Sequence, residues 1–340
     1  TARVGVHGAT YVRVVSTAAG AARTTRIKAY ASDQGFQLYP TVQFWIPRSD
    51  ESNATTVWQS GGGTTTITLE NIVDPQYGTG ITTFHSFTTD GTFVPPAPRS
   101  PTMSPTHLIP TGTRRLVTIG DSITAATNVL RPEGSPQCGD GGYQSDWSKT
   151  YSALLCHRFG AECSTIAVGG KCMMRECGGL QMPDYYRSAF YGDGGAPTFT
   201  FAQDAAPHAM LIDLGTNDMR AITKIGLNTT TGEGPGMVQF ATEMVAFLVN
   251  VTTLYQTKEI QFFLSSGPME NTTITGTQSA VAQARALGIK ATWIDMRTAC
   301  VDARIHGAGD SDMCDGCASH PGVEGHRGMY EAAWPVIEEV

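Results

Sequence analysis

Arg115-Leu116-Val117-Thr118-Ile119-Gly120-Asp121-Ser122 runs from a short apolar stretch straight into a turn-forming triplet. The run to Ile119 is what a strand buried inside a parallel sheet looks like. A serine at such a strand-to-helix junction can project its hydroxyl from the sheet. The N-terminus of a following helix can favour an oxyanion developing there. Gly-Asp-Ser also reads as an ordinary helix cap. The triplet alone leaves both readings open.

Downstream, strand-like and helix-like segments alternate. A helix is expected around Trp147 to Phe159, with Trp147, Tyr151, Leu154 and Leu155 near helical spacing. Strands are expected at Ser164 to Val168, Ala209 to Leu214, Ile260 to Leu264 and Ala291 to Ile294. Helices are expected at Met237 to Leu254, Ser279 to Leu287 and Gly325 to Glu338. That alternation predicts a three-layer α/β domain with a parallel sheet over residues 114–340. Upstream the grammar differs. Tyr11 to Val15, Thr25 to Tyr30 and Thr41 to Ile46 cluster β-branched and aromatic residues between turn-formers such as Asp33-Gln34-Gly35 and Ser60-Gly61-Gly62-Gly63. Residues 1–98 therefore predict a β-sandwich, jelly-roll-like in type. Pro95-Pro96-Ala97-Pro98 closes it. Pro101, Pro105 and Pro110 stiffen a linker over 99–113.

Composition narrows the function classes. Of 340 residues, 41% are hydrophobic and only 16% charged, enough to bury a core and too little charge for disorder. A net charge of −7 without a basic patch argues against nucleic acid as a partner. The most apolar helical stretch, Met237 to Tyr255, is interrupted by Gln239, Thr242, Glu243 and Asn250, so it reads as a core helix and no membrane span is expected. The chain opens at Thr1 without a signal-peptide pattern, compatible with processing. Asn-x-Ser/Thr sequons at Asn53, Asn228, Asn250 and Asn271 point to a secreted, N-glycosylated protein. Eight cysteines lie between Cys138 and Cys317, several close in sequence: Cys156 with Cys163, Cys172 with Cys177, Cys314 with Cys317. Disulfides, free buried thiols and a metal site are the readings open, and an extracellular setting favours disulfides. No second pair or suitably spaced histidine completes a tetrahedral set around Cys314 and Cys317.

Other strand ends also carry candidate chemistry. Gly169-Gly170 is either a tight turn or an exposed amide for an oxyanion. Asn217, in Gly215-Thr216-Asn217-Asp218, is a turn residue or a side-chain oxyanion donor. His320-Pro321, preceded by Asp315 and Cys317, lies in a loop before the last helix, where a base can reach the first strand. A structural histidine is the alternative.

In this order the four blocks resemble the SGNH (GDSL) hydrolase superfamily. The resemblance implies Ser122 as nucleophile, His320 as base and an oxyanion hole of the Ser122 and Gly170 amides with the Asn217 side chain, and no cofactor or metal. Asp90-Gly91-Thr92-Phe93-Val94-Pro95-Pro96, Ile119-Gly120-Asp121-Ser122-Ile123-Thr124, Val168-Gly169-Gly170-Lys171 and Gly316-Cys317-Ala318-Ser319-His320-Pro321 further resemble carbohydrate esterase family two. That implies removal of acetyl groups from polysaccharides such as acetyl xylan, the acetylated carbohydrate being the partner. The superfamily's aspartate three residues before the histidine is Cys317 here. Asp315, a backbone carbonyl or another acid then orients His320. Asp121 and Asp218 are expected to bond loop amides, and His326 to matter little. A general or lipid esterase, an acyltransferase and a carbohydrate-binding protein with a weak hydrolase half are the rival functions. Tyr143, Trp147, Tyr185 and Tyr186 are candidate platforms for a sugar ring, Trp147 also for core packing.

Overall fold

Five consecutive buried residues in Ala209–Asp213 and six in Gln261–Ser266 can only come from strands covered on both faces. The computed structural model describes residues 114–130, 145–178, 181–187, 201, 206–269, 273–297, 316 and 320–339, together with the backbone of six N-terminal strands. Asp315, Cys138, Cys300, Cys314, Cys317, Tyr143, the sequons Asn53 and Asn271, and residues 99–113 lie outside the described residues. The chain divides into two parts, Thr1–Pro101 and Thr102–Val340.

In the first part, β1 (Ala2–Val6), β2 (Tyr11–Ala18), β3 (Ala21–Lys28), β4 (Val42–Trp45), β5 (Thr66–Asn71) and β6 (Thr82–Phe87) form two three-stranded sheets, ordered β4-β1-β6 and β3-β2-β5. All four pairings are antiparallel. Three of these strands overlap the segments expected from Tyr11, Thr25 and Thr41 onward.

The second part holds β7 (Arg115–Gly120), β8 (Glu162–Ala167), β9 (Ala209–Asp213), β10 (Gln261–Ser266) and β11 (Ala291–Asp295) in one parallel sheet, ordered β11-β10-β9-β7-β8. The chain goes from β7 outward to β8, then returns across β7 to β9. The order therefore reverses at β7, and ligands of such sheets bind at the carboxyl ends beside that reversal.

Side chains alternate between two cores. Ile119, Met210, Ile212, Phe262 and Leu264 face α4 (Pro235–Leu254) and α5 (Ile274–Ala286). Leu116, Leu211, Phe263 and Ile294 face α1 (Tyr151–Phe159) and α6 (Val323–Glu338). This is the three-layer arrangement expected. Helix boundaries moved: α5 begins before Ser279, and the expected Trp147 to Phe159 helix breaks at Thr150, whose Oγ1 caps Ala153 N–H at 3.3 Å. The short helices α2 (Met182–Tyr185) and α3 (Met219–Ile225) also belong to this part.

Helix α4 is long and apolar enough to cross a membrane by length and composition, yet Phe240, Met244, Leu248 and Val251 are spent on the core against the sheet. Its start is close to α3. A Cβ added to Gly236 would overlap the Ile222 carbonyl oxygen and stand 2.9 Å from Ile222 Cα. Gly236→Ala is expected to lower unfolding free energy by about 1–3 kcal/mol through overpacking against a backbone that cannot yield. Urea unfolding beside Val238→Ala, an exposed position on the same helix, checks it; equal stability of the two variants would refute the close approach.

Candidate active site

Gly120 ends β7 in register with Asp213 of β9 and Ala167 of β8. A Cβ here would overlap Thr124 and stand 2.9 Å from the Asp213 carbonyl oxygen, so only glycine lets the chain fold back this sharply. The next residues do not form the helix expected behind Ser122. They make successive turns, with Ala125 N–H on Asp121 O at 3.0 Å, Thr127 N–H on Ser122 O at 2.9 Å, and positive φ at Ala126 and Asn128. The helix macrodipole anticipated at Ser122 is therefore replaced by individual amide donors.

Asp121 organises this edge. Its side chain is buried; Oδ1 accepts Ile123 N–H at 3.0 Å and Oδ2 accepts Asn217 Nδ2 at 3.0 Å. Asn217 also donates to Lys171 O at 3.1 Å. Both partners are acceptors, so the amide nitrogen faces them and both its hydrogens are engaged. Loops from β7, β8 and β9 are joined at one side chain. Asp218, the next residue, accepts Met173 N–H at 3.0 Å and Met174 N–H at 2.7 Å. Burial pushes its carboxyl up to about 6 against those hydrogen bonds, which lower it. Asp121 and Asp218 thus bond loop amides as expected.

Gly170 is exposed on the β8 loop at φ +74, and a Cβ there would meet nothing within 4 Å. Among the described residues, neither its amide nor that of Ser122 has an acceptor. A disulfide, Cys172–Cys177, ties the same loop, and Cys156–Cys163 joins α1 to β8. Cys172, Cys177 and Asp218 lie close enough to suggest a metal. The disulfide removes both thiolates from that role.

Ser122 and His320, far apart in the chain, meet: His320 Nε2 is 2.8 Å from Ser122 Oγ, with the serine 8% exposed. The loop bearing His320 doubles tightly, since a Cβ on Gly316 would stand 2.6 Å from Gly322 N. Of the expected residues, Ser122, His320, Asn217 and Gly170 all lie on loops at the carboxyl end of the sheet or immediately before α6. The sugar platforms fare less well. Tyr186 is buried, its hydroxyl donating to Tyr255 at 3.3 Å and its ring edge-on to Phe247. Trp147 donates Nε1 to Thr165 Oγ1 at 3.1 Å. Tyr185 stays half-buried beneath the Lys171 ammonium, 4.6 Å from its ring centre.

Two buried titratable groups beneath the site, Asp213 and His326, were not expected there. Asp213 closes the apolar run Met210-Leu211-Ile212, and a lone carboxyl at a buried strand end was a readable signal. Its Oδ1 accepts Ser265 Oγ–H at 2.8 Å, and Oδ2 has no partner among the described residues. His326 is fully buried, its Nδ1 accepting Tyr151 N–H at 3.4 Å.

No family model matches the sequence, and no curated protein matches it. Solved structures do match. A carbohydrate esterase family 2 enzyme with a carbohydrate-binding domain from Corynascus thermophilus (Myceliophthora fergusii) matches with TM-score 0.68 and 23% identity over 100% of this chain and 90% of that one. A family two carbohydrate esterase from Clostridium thermocellum, in complex with cellohexaose, gives 0.64 and 17% over 99% and 88%. An acetyl xylan esterase from the rumen bacterium Butyrivibrio proteoclasticus gives 0.63 and 15% over 99% and 85%. At these identities the likeness is one of fold: this chain has an SGNH-hydrolase fold resembling that of family two carbohydrate esterases.

The two missed groups give stability a definite pH dependence. Burial, then the nearby His320, holds His326 down to about 3 from an ordinary 6.5. Burial raises Asp213 from 3.8 to about 7, although the Ser265 bond lowers it. Unfolded chains protonate His326 near pH 6.5, so its contribution is full above 6.5 and is lost as pH falls toward 3. Folded Asp213 keeps a proton that the unfolded chain releases, so its contribution is full below 3.8 and is lost as pH rises through about 7. His326→Asn is expected to flatten the acid limb of unfolding free energy, and Asp213→Asn the opposite limb. Urea titrations at stepped pH read both; profiles superimposing on wild type would contradict the assignment.

Proposed function

We propose that this protein is a serine esterase that removes acetyl groups from carbohydrate by an acyl-enzyme mechanism. The observation that carries the reading is the 2.8 Å approach of His320 Nε2 to Ser122 Oγ at the carboxyl edge of the sheet. His320 takes the Ser122 proton as Oγ attacks the ester carbonyl. The carbonyl oxygen becomes an oxyanion facing the Ser122 and Gly170 amides. Asn217 joins them by sharing a hydrogen now given to Asp121 or Lys171 O. One donor of this kind is worth about 3 kcal/mol of transition-state stabilisation. Collapse of the intermediate breaks the C–O bond to the sugar, whose oxygen leaves with the proton from His320. Water then attacks the acetyl-serine by the reverse sequence and releases acetate.

The fold neighbours, carbohydrate esterases and an acetyl xylan esterase, support an acetylated carbohydrate as substrate. The sheets β4-β1-β6 and β3-β2-β5 are read as halves of a β-sandwich accessory domain. Two disulfides and the sequons, among them exposed Asn228, favour a secreted glycoprotein.

Ser122→Ala and His320→Ala are each expected to remove nearly all hydrolysis of p-nitrophenyl acetate while far-ultraviolet circular dichroism stays unchanged; wild-type turnover in either would refute its role. Wild type should release acetate from acetylated xylan or glucomannan and prefer the acetate ester to the octanoate. Faster octanoate turnover with no acetate from any polysaccharide would leave a general or lipid esterase. Asp315→Asn separates the ways of orienting His320. A severe fall in turnover assigns that work to Asp315. A change of only a few-fold leaves it to a carbonyl or another acid.

A further inference from the structure

Behind Ser122 lies a set of buried polar groups that the proposed reaction does not consume. Thr124, two residues past the serine, is fully buried with Oγ1 2.7 Å from the Tyr151 hydroxyl. Its side chain occupies the space that Gly120 leaves empty, so it moves only with the end of β7. Tyr151 is the first residue of α1 and is also fully buried. Its backbone N–H, one of those that a helix start leaves without an intrahelical acceptor, donates to His326 Nδ1 at 3.4 Å. The two rings lie nearly parallel, 13° apart, with centroids at 5.9 Å. His326 sits in the first turn of α6, its own N–H on Gly322 O at 2.9 Å. His320 stands just before that turn, across Pro321 and Gly322.

These contacts close a ring: Ser122 to Thr124 along the chain, across to Tyr151, across to His326, back along the chain to His320, and through 2.8 Å to Ser122. We propose that Tyr151 and His326 are positioning residues for the Ser122–His320 pair. Tyr151 acts through Thr124 on the turn that carries the serine, and His326 through the start of α6 on the histidine before it. The inference rests on the reading of Ser122 as nucleophile and His320 as base. An Nδ1 that accepts from Tyr151 N–H is unprotonated, so His326 is the neutral imidazole protonated on Nε2. Burial favours that same neutral form. The residue read from sequence as a bystander thereby becomes a support that cannot take up charge without losing its bond to Tyr151.

The test is reaction of the full chain with an alkyl fluorophosphonate. The Ser122 Oγ–P bond forms, the P–F bond breaks, fluoride leaves and the Oγ proton passes to His320. Intact mass and peptide mapping give the rate and the site. In Tyr151→Phe, Thr124 is left without its buried partner, so stability to urea should fall. Labelling should slow by about tenfold, as expected of a small misplacement of reacting groups. Adding Thr124→Val removes both hydroxyls and should return stability toward wild type, because replacing both partners by apolar groups can be nearly neutral. Labelling should stay slow. His326→Asn, which keeps an acceptor for Tyr151 N–H and loses the stacked ring, should also label slowly. Labelling that recovers together with stability in the double variant overturns the inference, as does a wild-type rate in Tyr151→Phe or His326→Asn. A wild-type chain that takes up no phosphonate at Ser122 overturns the nucleophile reading itself and is told apart by that.

Discussion

Three loops converge where β7 ends between β8 and β9, and the carboxylate of Asp121 is the group that their joint geometry depends on. A buried carboxylate is tolerated only when it is hydrogen-bonded, and the donors it has recruited come from different strands' loops. Ile123 N–H sets the turn that follows Ser122, while Asn217 brings in the loop after β9 and, through Lys171 O, the loop after β8. Asp218 and the Cys172–Cys177 disulfide hold the far side of that last loop. Sheet register supplies the foundation, since Gly120, Ala167 and Asp213 end their strands abreast. The loops therefore leave the sheet at one level, and short side chains suffice to join them.

Two of the groups beneath the site carry a cost. Asp213 and His326 are buried and each has an atom without a hydrogen-bond partner among the described residues. An apolar residue at either position would suit a core better. Structures keep such groups most often near functional sites, where local optimisation gives way to the geometry of the site. Burial raises Asp213 to about 7 and lowers His326 to about 3, so near neutral pH the imidazole is uncharged and the carboxyl only partly ionised, which limits the electrostatic penalty of having them inside.

The parallel sheet was legible because its strands are short apolar runs bounded by polar or glycine residues, a pattern that burial on both faces imposes. Leu116 to Ile119 and Ala209 to Leu214 are cases in point. The turn after Ser122 was not legible. Nothing in Thr124-Ala125-Ala126-Thr127-Asn128 forbids a helix by propensity, and only the tertiary fit of Thr124 against Gly120 and Tyr151 bends it otherwise. Tyr186 looked like a sugar platform beside its neighbour Tyr185, but which ring of such a pair turns inward is decided by Phe247 and Tyr255, far away in sequence. Ser122, Gly170, Asn217 and His320 were singled out through their order and their likeness to a known pattern; periodicity and spacing carry no information about a pair joined only by folding. For Tyr151 the helical period was visible and its hydroxyl's partner was not.

The serine and histidine stand 198 residues apart in the chain. At a synthesis rate of about 5–20 residues per second, Ser122 leaves the ribosome roughly ten to forty seconds before His320 does. For that interval β7 can pair with β8 and β9, yet Ser122 lacks its partner His320 and the space against α1 is not yet closed by α6. The 2.8 Å approach of His320 Nε2 to Ser122 Oγ therefore waits on the synthesis of every residue between them.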